Sequence, residues 1–154
     1  MKLAEALLLR GEMQTRLAKL RERLGRCVLV QEGDKPAEDP EKLMGQGAGL
    51  ISDLYALVAR INRTNQSAKM LDGRTMMEAI AERDRLRQTL SLVQFAAQSA
   101  AGPATDNRYS LREIRWVPMM SVQKLHAQSD DISQAQRELN AKVQEANWKI
   151  ELLD

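Results

Sequence analysis

Two arginines open the chemical question. Arg10 and Arg83 each fall on the apolar seam of a predicted helix, where a guanidinium is out of place unless something answers its charge. Two guanidinium forks suit a phosphate or carboxylate, which they grip through paired N–H donors. Asn62 and Asn147 can orient such a ligand through their amides. The neighbouring polar residues Asn65, Asp72, Arg74 and Trp148 complete a candidate ligand-binding set with Arg10, Asn62, Arg83 and Asn147. Two other readings compete with a pocket. Carboxylates at Glu12, Glu82, Asp84 or Glu145 could neutralise the arginines and fix helix register, or the side chains could snorkel to water. A second cluster, Arg26, Tyr109, Arg112, Arg115 and Trp116, sets aromatic rings beside guanidinium groups. That combination can stack a ring or base, although a tryptophan in a strand is more often core.

Other chemistry is missing. Gly45-Gln-Gly-Ala-Gly49 has no following Lys-Ser/Thr and no strand before it, so it is no phosphate-cradling P-loop. The single histidine, His126, and single cysteine, Cys27, exclude a multi-histidine metal centre, a disulfide framework and a cysteine zinc site. His126 reads as a surface helix residue, and Cys27 as a small hydrophobe. No Glu-x-x-His pair supports a di-iron site. No catalytic set, cofactor or metal is expected, and the protein is read as non-enzymatic.

The elements that must position these residues follow from composition and periodicity. The 154 residues are 44% hydrophobic but only 3% aromatic, with 8 Gly and 4 Pro. Such a profile suits long helices packed through aliphatic seams and argues against a sandwich or barrel. The first helix spans about Lys2 to Gly25, with Leu3, Ala6, Arg10, Met13, Leu17, Leu20 and Leu24 on one stripe. Cys27–Gln31 reads as a short strand, then Glu32–Pro40 as a polar loop. Asp39 is an N-cap with Pro40 at the first helical position. The second helix runs to about Asn62 on Leu43, Gly47, Leu50, Leu54, Leu57 and Ile61. Its three glycines either permit close backbone approach or leave the first half frayed.

Asn62–Arg74 is a loop with an Asp72-Gly73 turn. Thr75 and Glu78 have capping-box spacing, and a third helix reaches about Ala101 on Met76, Ala79, Arg83, Leu86, Leu90, Val93, Ala97 and Ala100. Arg112–Val117 alternates like a half-buried strand. Ser121 caps a fourth helix reaching about Leu153, through Leu125, Ser129, Ile132, Gln136, Leu139 and Val143. Short connections make the expected fold one domain over residues 1–154, mainly all-α. It is a four-helix antiparallel bundle, or coiled coil, with a small two-stranded β-ribbon at one end.

Charge narrows the partners. Lys+Arg is 23 against Asp+Glu 21, a net +2 that gives no push toward nucleic acid. Arginine outnumbers lysine 15 to 8, the bias suited to planar anion contacts. No apolar run approaches the roughly 18 residues of a membrane span. The opening MKLAEALLLRGEM reads as a helix and not a signal peptide, and with a free cysteine this favours the cytoplasm.

Several phrases, MKLAEALLLR, VQEGDKPAEDP, INRTN, LDGRTMMEAIAERD, RYSLREIRWV and EANWKIELL, carry a likeness across nearly the whole chain. With them the sequence resembles a family of small bacterial helical proteins often labelled septicolysin. The Gly45–Gly49 stretch departs from that family's helix-forming pattern. The resemblance implies that the loops matter as much as the seams, through Asn62, Asn65, Asp72, Gly73, Thr75, Arg83, Asp84, Tyr109, Trp116, Asn147 and Trp148. The function expected from all of this is a helical homo-oligomer binding a small anionic or nucleotide-like ligand through an Arg/Asn-lined pocket. The alternative is a structural or adaptor coiled coil working through protein–protein contacts.

Overall fold

The computed structural model describes residues 1–102 and 116–154. Among them are four helices: α1 (Leu3–Cys27), α2 (Pro40–Ser67), α3 (Met76–Ala100) and α4 (Val122–Lys149). Among the described residues there is no sheet, only the isolated antiparallel bridges Lys2–Glu151 and Lys69–Thr75. The chain gathers into two compact units, Met1–Met76 with Gln144–Asp154, and Met77–Val143.

The first unit is built on α1 and α2, which run antiparallel. Leu17, Leu20 and Leu24 near the end of α1 face Leu43, Gly47 and Ile51 near the start of α2. The expected seams are the buried faces: Leu3, Ala6 and Leu20 on α1, and Leu43, Leu54, Leu57 and Ile61 on α2. Burial of these aliphatic side chains is the main force holding the pair, at about 1.5–3 kcal/mol for each fully buried Leu or Ile. Gly47 earns its place by close approach, since a Cβ there would meet Leu20 Cδ2 at 3.3 Å. The helix does not fray at its glycines. It starts at Pro40 with the Asp39 carboxylate accepting from the Glu41 N–H at 3.0 Å and the Lys42 N–H at 3.4 Å.

Two expected boundaries are corrected. The first half of the anticipated β-ribbon does not form. Cys27 is the buried last residue of α1, and the Val28 N–H closes the final turn on the Leu24 carbonyl at 3.1 Å. The next residues, Val28, Leu29 and Val30, are exposed and unpaired in any ladder. The helix-forming run before Cys27 outweighs the local β-preference of a few branched residues that find no partner strand. Of the other half, residues 112–115 lie outside the described residues, and Trp116 and Val117 carry no strand. The second boundary is the end of α2, which passes Asn62 to reach Ser67. Thr64 and Ser67 donate their hydroxyls to the Arg60 and Arg63 carbonyls at 2.8 and 2.9 Å. The polar run NRTNQS thus stays helical by turning its hydroxyls back onto the helix.

The second unit rests on α3 and α4. The last turns of α3 lie beside the first turns of α4, with Val93, Ala97 and Leu125 buried together and Ala96, Ala100 and Ile132 packed around them. Ser121 caps α4 as anticipated, its hydroxyl accepting the Lys124 N–H at 3.3 Å.

Candidate functional site

The polar end of the first unit is organised by the segment after α4. Leu3 N–H donates to the Ile150 carbonyl and Leu152 N–H to the Met1 carbonyl, each at 2.9 Å. Glu151 pairs with Lys2 and, at 3.4 Å, with the Met1 amine. Both pairings hold its carboxyl below the ordinary glutamate range, the Lys2 hydrogen bond most strongly.

One turn on, Thr64 is fully buried. Its Oγ1 accepts the Leu153 N–H at 3.0 Å while donating to the Arg60 carbonyl. Arg60 completes the strap, donating from Nε to the Leu153 carbonyl at 3.1 Å and pairing with Asp154 at 2.7 Å. Sequence reasoning did not single out Thr64 or Arg60. The signal was there: Leu54, Leu57, Ile61 and Thr64 continue one 3-4-3 seam.

Within this unit the expected ligand set divides. Asn147 is buried, at 6% exposure, and none of the side-chain hydrogen bonds among the described residues includes it. Arg10 is half-buried, and its Nε is sealed from solvent without a hydrogen-bond partner among the described residues. Asn65 is half-buried, while Asn62 and Trp148 are exposed. Asp72 and Arg74 serve the turn after α2. The Asp72 carboxylate accepts the Arg74 N–H at 3.2 Å and pairs with its guanidinium at 2.6 Å. Gly73 occupies the left-handed region there, at φ 86°, where other residues are strained.

Arg83 belongs to the second unit. It is half-buried and pairs with Asp84 at 3.3 Å. The other expected carboxylates have their own cations: Glu82 pairs with Arg85 and Glu145 with Lys149, while Glu12 is exposed on α1. The two seam arginines therefore differ, one facing a carboxylate and one with a sealed, unanswered donor.

The second cluster is not assembled by the described residues. Arg26 is exposed on α1 and pairs with Glu22 one turn back. Tyr109, Arg112 and Arg115 lie outside the described residues. Trp116 is 73% exposed, so its reading as a half-buried strand residue is corrected. It borders an open, largely apolar cleft of about 660 Å³ in the second unit, with Ala96, Ser99, Met119 and Val122. His126 is exposed. Among the described residues no His, Cys, Asp and Glu side chains group as metal ligands, and no helix is long and apolar enough to cross a membrane.

Among the described residues the protein is all-helical, and its first unit holds a buried asparagine, Asn147, and an arginine donor sealed from solvent, Arg10 Nε. The chain belongs to a family of unknown function, DUF6847, whose model matches residues 10–152. It is also similar to a functionally unknown conserved protein from Corynebacterium diphtheriae, known from a crystal structure. The two are 35% identical over 99% of each chain, with a TM-score of 0.90. No curated protein matches.

Proposed function

We propose that the protein is a non-enzymatic helical-bundle homo-oligomer that binds a small anionic, nucleotide-like ligand, with Arg10 as its principal cation. The observation that carries this reading is the Arg10 Nε, sealed from solvent with no hydrogen-bond partner among the described residues. An unmet buried donor costs about 1–3 kcal/mol, more for a charged group, so an arginine held this way is stabilised by an incoming anion. Asn147, buried and without a side-chain partner among the described residues, supplies the second orienting group. The excess of Arg over Lys supports the same chemistry.

The test is anion-dependent stability. Phosphate and a panel of nucleotides, at matched ionic strength, are expected to raise the melting temperature of the wild type and not of Arg10→Leu. A flat response to every anion would falsify the ligand reading. A structural or adaptor role through protein–protein contacts draws support from the exposed apolar residues of α2, Met44, Ile51 and Tyr55. It predicts self-association without any anion effect.

A further inference from the structure

One exposed face of α2 has a pattern that the first unit does not use. Glu41, Gly45, Ala48, Ser52, Ala56, Ala59 and Arg63 are all exposed. Their spacing is 4-3-4-4-3-4, so they form one stripe along roughly 33 Å of helix at 1.5 Å per residue. The spacing reads the same in both directions about Ser52. The stripe is acidic at one end, basic at the other, and uncharged with small side chains between.

The glycines on this side have no internal purpose. A Cβ at Gly45 or Gly49 would meet nothing within 4 Å, whereas one at Gly47 would press on Leu20. Neither Gly45 nor Gly49 has a positive φ. Glycine inside a helix is unfavourable relative to alanine, so two that serve neither packing nor conformation call for an explanation outside the chain. Small residues in register let a second helix approach closely.

From this we infer that a second copy of the chain docks here, its α2 antiparallel to the first across a two-fold axis at Ser52. This rests on the self-association part of the proposed function and names the surface. A two-fold contact must be complementary to itself, and the stripe is. Residues whose numbers sum to 104 face each other, so Glu41 meets Arg63, Gly45 meets Ala59, Ala48 meets Ala56 and Ser52 meets Ser52. The charge pairing occurs twice, once at each end. A parallel arrangement would instead set Glu41 against Glu41 and Arg63 against Arg63, so the charge pattern selects the antiparallel one.

The test is solution mass by light scattering at micromolar concentration, combined with crosslinking. Wild type is expected to be a dimer, and Ala48→Glu a monomer with unchanged far-UV circular dichroism. Glu41→Arg and Arg63→Glu should each weaken the dimer severalfold, and the double variant should restore it. In a Cys27→Ala background, Ser52→Cys should oxidise to a covalent dimer, since it faces itself, while Gln46→Cys on another face of α2 should not. A dimer that tolerates Ala48→Glu and does not crosslink through Ser52→Cys overturns this surface and leaves self-association standing. A monomeric wild type overturns both.

Discussion

Arg10 and Arg83 hold the same place in their sequence patterns, on helical seams, yet they meet different surroundings. Arg83, in the second unit, faces the neighbouring Asp84 carboxylate. Arg10, in the first unit, has a sealed Nε with no partner for it among the described residues. A seam arginine is therefore not one kind of feature. Where a carboxylate follows in the chain, as Asp84 follows Arg83, the charge is answered locally. Arg10 has no such carboxylate paired with it among the described residues, and its Nε is left without a hydrogen-bond partner there. The Arg10 unit also contains the Thr64–Arg60 strap and the buried Asn147.

The largest effect expected in this comparison is on the core beneath the strap. Ile61→Ala should cost about 2–5 kcal/mol in urea denaturation, the range for truncating a well-packed aliphatic side chain. A loss under 1 kcal/mol would mean that the polar end is not held by that seam. Thr64→Val comes next. It keeps the volume but strips the Leu153 N–H of its acceptor, and should cost about 1–3 kcal/mol. Faster hydrogen exchange at the Leu153 amide is the local check, and an unchanged rate would show that the strap does not depend on the hydroxyl.

Arg83→Leu should be milder, under about 1 kcal/mol, because its ion pair is partly solvated. It should leave Arg10 chemistry untouched, and a loss of anion response on Arg83→Leu would break the distinction drawn between the two arginines. Smallest is the effect of acid. Glu38, hydrogen-bonded to Arg23, and Glu151, hydrogen-bonded to Lys2, both titrate below the ordinary carboxylate value. A carboxylate depressed in the folded state contributes stability that is present above its unfolded value, about 4.3. That contribution is lost as pH falls through the lower folded values. Melting temperature should therefore slope downward below about pH 4, and Glu38→Gln with Glu151→Gln should flatten that slope. An identical slope in the variant would remove these two groups from the account.

Much of the fold was legible in the sequence because aliphatic periodicity reports burial directly. Leu3, Ala6 and Leu20, or Met76, Ala79, Leu86 and Val93, are buried where a 3-4 repeat puts them. Asp39-Pro40 marked the start of α2 because a cap acts locally. The ends that failed are those where tertiary or side-chain bonding overrides local preference. Val28, Leu29 and Val30 have strand-forming side chains but no partner strand, and NRTNQS looks like a loop until its hydroxyls are seen bonding backward. Within the site, the sequence marked both arginines as out of place on their seams and Asn147 as an orienting amide. It could not separate Arg10 from Arg83, since four carboxylates were in range by number alone, and only geometry assigns Asp84 to Arg83 and Glu145 to Lys149.

Isothermal titration of wild type and Arg10→Leu with inorganic phosphate decides whether Arg10 takes an anion, as proposed from its unpartnered Nε. Wild type is expected to bind phosphate saturably, a response that Arg10→Leu abolishes and Arg83→Leu preserves. Equal binding by wild type and Arg10→Leu, or none by either, would contradict it.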